Sequence, residues 1–353
     1  MTDAPLRIGL VGAGMASQLF HLPHYADNPL CRIVVIADQR PKLASEVAAR
    51  WQIPEIVSHE EQLFDRPDID AVVIVAPRRA MAPLVLCALE AGKHVLSEKP
   101  MAYTAAEAQR LVDAAGSRGL IYTVGFMKRY DSGVARTRVL LSDLERNPRL
   151  GALLLARFHN FSASYAAEPG PFIRYDEKRP ARLPEWSAGP AWLPGGLSAT
   201  YDKFLNVASH DINLMRYLLG DELRVGSAHL GGNGGLVACL VRGEVPVSFD
   251  LAAASTGEWL EGAEFLFEKG RVLLELPSPV LRRGAARLRV EGPNSASGGA
   301  SVGPDDECAF HYQARAFVED VRSHITPRSS GQSALGDLVL IENIWKTAIL
   351  RDR

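Results

Sequence analysis

Ala91–Met101 reads AGKHVLSEKPM: a helix end, a tight turn at Gly92, a short strand His94–Ser97, and a stop at Glu98-Lys99-Pro100. Proline has no N–H to give a sheet and fixes its own φ, so the strand breaks there. Lys99 therefore falls at the carboxyl end of a parallel strand, where open α/β sheets bind their ligands. A lysine at that place can donate to a substrate hydroxyl or relay a proton, and cationic or apolar surroundings lower its pKa. From these residues alone, a surface lysine in a turn is an equal alternative.

Working outward to the amino terminus, Leu6–Val11 (LRIGLV) is an apolar strand that runs into Gly12-Ala13-Gly14-Met15-Ala16-Ser17, and Gln18–Tyr25 opens a helix. Strand, glycine loop, helix is the setting a dinucleotide-binding loop needs. Gly12 allows the tight turn; Gly14, with Met15 and Ala16, lets the backbone approach a pyrophosphate at the helix N-terminus. Ser17 replaces a third glycine and is small enough to keep helix and strand close. The next strand, Ile33–Ala37, ends at Asp38. An acid there accepts ribose hydroxyls and repels a 2′-phosphate, so NAD is expected over NADP. Arg40 pulls the other way, since an arginine can bind that phosphate or stack on adenine. Without the loop upstream, Asp38 would be a solvated turn acid before Pro41.

The remaining elements alternate: helix Pro41–Trp51, strand Glu55–Val57, strand Ala71–Ala76, helix Met81–Ala91, helix Ala105–Ser117 and strand Leu120–Phe126. AVVIVA at Ala71–Ala76 is continuously apolar, as a strand buried on both faces must be. Its end, Ala76-Pro77, is expected under the cofactor by backbone, with Glu98 and Lys99 beside it from the next strand. Strands alternating with helices give a doubly wound parallel sheet.

After Asn147-Pro148 the pattern changes. Gly151–Asn160, Arg224–Leu230, Leu236–Arg242, Val245–Ala254, Glu264–Leu276 and Ala286–Glu291 read as strands with glycine-rich turns, which predicts a mainly antiparallel open sheet. Phe161–Leu205 reads as a long aromatic-rich connection, holding Tyr165, Phe172, Tyr175, Trp186, Trp192, Tyr201 and Phe204. Flat aromatic faces suit the C–H faces of sugar or cyclitol rings; the alternative is an arm that packs on a neighbouring subunit. Pro293–Pro304 is small and polar, an exposed loop. Phe310–Ile325 and Ala334–Arg351 are helical.

The whole chain has 353 residues, 47% hydrophobic and 23% charged, with a net charge of −2. That size suggests two domains. The charge gives no case for nucleic acid or an anionic membrane surface. Cys31, Cys87, Cys239 and Cys308 form no CxxC, which argues against a zinc site and suits a reducing cytoplasm. No run approaches the ~20 apolar residues that span a bilayer, and the amino terminus does not read as a leader.

AGKHVLSEKPM resembles the AGKHVxxEKP signature of the Gfo/Idh/MocA oxidoreductases (glucose–fructose oxidoreductase, inositol dehydrogenase and relatives). Gly125–Asp131, GFMKRYD, resembles their GFMRRYD segment, and Asn206–Asn213, NVASHDIN, their DxGxHxxD segment. The resemblance implies a Rossmann domain at 1–128 and a substrate-binding and oligomerisation α+β domain at 129–353, whose last helix is free to pack back on the first. It implies a cis Lys99–Pro100 bond. It gives Lys99 contacts with nicotinamide ribose and substrate, makes His210 the catalytic histidine, and turns Lys128 and His159 toward substrate. Read alone, Lys128 and Arg129 are equally the cationic start of a solvated helix, and His159 a buried structural residue. Asn206 stands where the family often has aspartate, and Asn213 also replaces an acid. Residues i and i+4 share a helix face, so Asn206 and His210 are expected to meet one substrate; an amide can orient a hydroxyl but cannot take its proton. Met81 holds the place of a family histidine.

The expectation is a cytoplasmic NAD(P)-dependent dehydrogenase acting on a secondary alcohol of a sugar, glycoside or cyclitol, assembled as a homodimer or homotetramer. NAD is the cofactor, no metal takes part, and Tyr165 joins Lys128, His159, Asn206 and His210 around the substrate. Two alternatives stay open: an NAD-retaining enzyme that cleaves or eliminates glycosides, and a non-catalytic nucleotide-binding sensor.

Overall fold

The computed structural model describes residues 4–162, 170–178, 185–187, 189–253, 257, 259–279, 281, 284–293 and 308–351. Tyr165 and 294–304, most of the loop expected at Pro293–Pro304, lie outside the described residues. The chain divides into two compact units. One takes the residues up to Phe126 with Gly170–Asp202 and Phe310–Leu335; the other takes Met127–Pro169, Lys203–Ala309 and the chain from Gly336.

In the first unit, six parallel strands β1 (Leu6–Val11), β2 (Cys31–Ala37), β3 (Glu55–Val57), β4 (Ala71–Ile74), β5 (His94–Ser97) and β6 (Tyr122–Val124) form one sheet of order β3-β2-β1-β4-β5-β6. The order reverses beside β1, and the crevice at such a reversal is where doubly wound sheets hold dinucleotides. A π-helical turn, Ser17–His21, continues into helix α1 (Leu22–Ala26). Helices α2 (Pro41–Trp51), α3 (Glu60–Phe64), α4 (Arg78–Glu90) and α5 (Ala105–Ser117) link the strands. Local chemistry sets their ends. Pro41 opens α2, where its missing N–H costs nothing. Thr104 caps α5, its hydroxyl accepting from Glu107 N–H at 3.1 Å while Glu107 returns to the Thr104 N–H at 3.2 Å. The Ile8, Leu10, Ile36 and Val73 side chains pack in one buried cluster with Phe317 and Val318 of a later helix, Ala309–Ser323.

The second unit holds helix α6 (Ser132–Arg146) and a seven-stranded sheet. Its strands are β7 (Leu153–Ser162), β8 (Leu223–Leu230), β9 (Leu236–Arg242), β10 (Val245–Ala253), β11 (Leu260–Phe267), β12 (Gly270–Leu276) and β13 (Arg287–Glu291), in the order β13-β12-β11-β7-β10-β9-β8. All neighbours are antiparallel except β7 with β10. The single strand expected at Glu264–Leu276 is two, turning at Glu268-Lys269. The apolar alternation of Phe265 and Phe267 resumes at Val272 and Leu274 one residue out of phase, which is how the turn shows in the sequence. Gly270 marks it: a Cβ there would lie 2.1 Å from the Glu291 carbonyl oxygen.

Two helices were not anticipated in the sequence. They are α3, only five residues long, and α7 (Ser198–Val207), inside the segment read as a connection. Helix α8 (Ser209–Leu219) begins two residues after α7 ends, so Asn206 and His210, expected on one helix, fall on two successive ones. Helices α9 (Ala309–Ser323) and α10 (Gly331–Arg351) close the chain. Among the described residues, no helix is long and apolar enough to cross a membrane.

Candidate functional site

The glycine loop follows β1. Gly12 has φ +95°, and a Cβ there would lie 2.2 Å from the Val75 carbonyl oxygen, so only glycine fits. At Gly14 a Cβ would meet nothing nearer than an Arg40 nitrogen at 3.9 Å, which leaves the backbone open to a ligand. Ser17 is fully buried, as the small-residue reading requires. Met15 is 41% exposed at the lip of the loop.

Asp38 ties β2 to that loop: one carboxylate oxygen accepts the Ala13 N–H at 2.8 Å. Arg40 grips the same carboxylate through Nε at 2.8 Å and Nη2 at 2.7 Å. Burial alone would raise the Asp38 pKa; the Arg40 guanidinium and the Ala13 N–H outweigh it and hold the carboxyl below its ordinary value. Asp38 is therefore ionised and pre-aimed at the loop, not a solvated turn acid. These features fit a dinucleotide: a sterically required turn, an uncovered glycine and an anchored acid at the end of β2.

At the end of β5 the Lys99–Pro100 bond is cis. Lys99 is half-buried. The Glu98 carboxylate accepts from His21 Nε2 at 2.9 Å, and its other oxygen accepts the Lys99 N–H at 3.1 Å. The Glu98 carboxylate thus fixes the backbone that carries Lys99. Gly125 lies against this strand end, where a Cβ would sit 3.1 Å from the Ser97 carbonyl oxygen. Beyond β4, Ala76-Pro77 leads into α4, whose first residue Arg78 chelates Asp202 with Nε at 3.1 Å. The Tyr103 hydroxyl donates to the same carboxylate, and burial followed by that contact pushes its pKa up to about 12. Met81 is 1% exposed, so it is a core residue.

In the second unit, the MKRYD part of GFMKRYD is neither solvated nor a free helix start. Lys128 is 6% exposed and paired with Glu261 of β11, whose second oxygen accepts the Trp259 indole N–H at 3.0 Å. Arg129 donates through Nε to Asn213 Oδ1 at 2.8 Å, and Asn213 Nδ2 donates to Asp337 at 2.6 Å. Asp337 also pairs with Arg216. The acid missing at Asn213 is thus supplied by Asp337 of α10, with the amide as a bridge. Asp131 caps α6 through the Val134 N–H at 3.1 Å and holds the Ala286 N–H at 3.0 Å.

His210 is the second residue of α8 and Asn206 the penultimate residue of α7; both are half-buried. They straddle Ala208, which keeps right-handed helical angles (φ −72°, ψ −14°). Next to His210, the buried Asp211 accepts from Asn160 Nδ2 of β7 at 2.9 Å. Strand parity then separates His159 from this group. Asn160 pairs across the sheet with Glu261, and His159 with Gly262 and Asp250, so His159 points to the opposite face. It stacks on Phe161 there, with ring centroids 5.5 Å apart.

The aromatics of Phe161–Leu205 also differ from expectation. Trp186 lies 4.3 Å beneath the Arg110 guanidinium, and the fully buried Tyr201 donates to the Tyr103 carbonyl at 3.0 Å. Both pack on the chain's own first unit. Phe204 is 3% exposed and meets Trp345 edge-on. Burial of Tyr201 and Phe204 removes those two rings from a sugar, while Tyr175 stays 43% exposed. His21, Gln18, Tyr103, Asp202 and Glu261 were missed in the sequence because their partners are remote.

Residues 6–126 match a family model, GFO_IDH_MocA, described as "Oxidoreductase family, NAD-binding Rossmann fold". Among curated proteins, the chain is 37% identical over 138 residues to uncharacterized oxidoreductase YdgJ of Escherichia coli, covering 39% of each. It is 28% identical over 298 residues to inositol 2-dehydrogenase of Acidothermus cellulolyticus, covering 80% of this chain and 76% of that one. The match thus spans about two fifths of YdgJ's own length. Among solved structures, levoglucosan dehydrogenase in complex with NADH and levoglucosan aligns with a TM-score of 0.74 at 19% identity over 98% of both chains. KijD10, a 3-ketoreductase from Actinomadura kijaniata, in complex with NADP and TDP-benzene, aligns with 0.74 at 22% over 98% of both. These two likenesses speak to the fold.

Proposed function

We propose that the chain is an oxidoreductase of the Gfo/Idh/MocA kind that moves a hydride between a secondary alcohol of a sugar, glycoside or cyclitol and NAD. The observation that carries this is the loop of Gly12 and Gly14 with Asp38 anchored to it through the Ala13 N–H. Curated relatives named for inositol and levoglucosan, each 28% identical over the matched residues, support the substrate class. Bound NAD would supply the hydride acceptor. Of the chain's own residues, we assign His210 to take the hydroxyl proton, Lys99 to hold the hydroxyl and the alkoxide that develops, and Asn206 to orient the substrate. Lys128 is kept as a substrate contact, its charge steadied by Glu261. Asp38 and the loop backbone hold the adenosine and pyrophosphate, with Ala76, Pro77 and Glu98 shaping the strand ends. His159 drops out of this assignment because it shares no face with Asn160. A panel of polyols tested for net NADH release checks the reaction: product without NADH would favour the cofactor-retaining alternative, and binding without turnover a sensor.

The cofactor choice has its own check. Calorimetric titration of both nucleotides into apoprotein is expected to find NAD the tighter, and Asp38→Ala to narrow the gap. NADP tighter by tenfold, about 1.4 kcal/mol, would reverse the assignment in favour of Arg40. The free cysteines among the described residues suit a reducing compartment such as the cytoplasm.

A homodimer or homotetramer is part of the same reading. The sheet face that carries His159 also shows Leu155, Val237, Leu260 and Leu266, exposed at 36%, 50%, 53% and 40%. Apolar groups gathered on an uncovered sheet face mark an interface. Light scattering is expected to give a mass at least twice that of the chain at micromolar concentration; a monomer would count against it.

A further inference from the structure

We propose that Glu177 is a cofactor-specificity residue that closes the ground beyond Asp38 to a 2′-phosphate; this rests on the NAD reading above. Glu177 belongs to Gly170–Lys178, a segment far along the chain that is fixed to the first unit at two points. At the first, the Gln18 side-chain amide pairs with the backbone of Ile173, accepting its N–H at 2.8 Å and donating to its carbonyl at 2.9 Å. Gln18 directly follows the glycine loop, and Ile173 packs on the core beneath it. At the second, four residues on, the Glu177 carboxylate accepts the N–H groups of Lys42 at 3.1 Å and Leu43 at 2.9 Å. Those are the first backbone donors of α2, since Pro41 ahead of them has none.

A phosphate on the adenosine 2′-oxygen beside Asp38 would look for positive charge and N–H donors just past the end of β2. Among the donors there are the Arg40 guanidinium and the Lys42 and Leu43 amides. Each already holds a carboxylate. Arg40 is chelated by Asp38, and the two amides by Glu177, which also adds to the negative field around Arg40. A dianionic phosphate would meet two carboxylates and displace one; a 2′-hydroxyl meets no such conflict. Discrimination by an unfavourable contact with the wrong ligand is a general route to specificity.

Glutamine at 177 keeps an oxygen for the α2 amides but loses the charge, so Glu177→Gln separates capping from repulsion. Fluorescence or calorimetric titration of NAD and NADP into apoprotein is the readout, with thermal unfolding of each variant as the folding control. NADP is expected to bind Glu177→Gln roughly fivefold to tenfold more tightly than wild type, the scale of a relieved like-charge contact near water, with NAD affinity unchanged. Glu177→Ala is expected to shift the ratio the same way and to lower stability as well. If wild type binds NAD and the NADP-to-NAD ratio stays constant in the folded glutamine variant, Glu177 is a helix cap only and the proposal is overturned. If wild type itself binds NADP better, or neither nucleotide, the NAD reading fails first.

Discussion

His210→Ala is expected to lower kcat/KM for alcohol oxidation by roughly 10² to 10⁴, the ordinary size of general-base catalysis, while NAD affinity is unchanged. A secondary alcohol releases its hydride only as its hydroxyl proton leaves, so a base must be within hydrogen-bond reach. An unperturbed histidine titrates near 6.5 and a lysine near 10.4, which makes the imidazole the better acceptor at neutral pH. The scaffold supports the choice. His210 sits in the first turn of α8, a helix otherwise almost wholly buried, yet its own side chain is only half-buried. Asp211, Asn213 and Arg216 of the same helix are pinned to Asn160, Arg129 and Asp337. A base on a helix held at three points keeps its position without paying for it at each turnover. Because only the neutral imidazole accepts a proton, kcat/KM for oxidation is expected to rise with pH through one pKa near neutrality in wild type. That inflection is expected to vanish in His210→Ala. A variant with full activity and the same pH profile would move the role to Lys99.

How legible each part was depends on the distance between partners. The Rossmann half is written locally: a strand, two glycines, an acid at the next strand end, and a proline that stops the strand at Lys99. Each of those features acts through its own φ or its own backbone, so neighbours in sequence suffice to read it. Helices Pro41–Trp51 and Ala105–Ser117 have the bounds read from the sequence, and each is started by its own neighbours: Pro41 in one, Thr104 with Glu107 in the other. The second unit is not written that way. Its hairpin at Glu268-Lys269 shows only as a one-residue phase shift between Phe267 and Val272 within one long apolar stretch. For Lys128 and Arg129 an exposed helix start stayed as open as a substrate contact, because the carboxylate and the amide that bury them lie 133 and 84 positions away. The Glu177 clamp spans 135 positions to Lys42. His159 was read by motif, but strand parity, visible only once β7 is registered against β11, turns it away from Asn160.

Glu261→Ala is expected to lower the stability of the second unit by about 3–5 kcal/mol, the cost of removing one partner from a buried ion pair. The Lys128 and Glu261 side chains are only 7% and 1% exposed, so neither charge can turn to water when the other is removed. The Trp259 N–H loses its acceptor in the same substitution. Denaturant unfolding followed by fluorescence measures the loss; a change under 1 kcal/mol would mean that the pair opens readily to solvent. The pair also allows structure and function to be told apart. Lys128→Met combined with Glu261→Leu removes both charges and keeps the volume, and such replacements are often neutral or stabilising. The double variant is therefore expected to regain most of the stability that Glu261→Ala loses. If Lys128 touches substrate as proposed, that refolded variant keeps wild-type NAD affinity yet shows a raised KM for the alcohol. An unchanged KM in a stable double variant would make Lys128 a structural counter-ion to Glu261, and the substrate contacts of this unit would rest on Asn206 and His210.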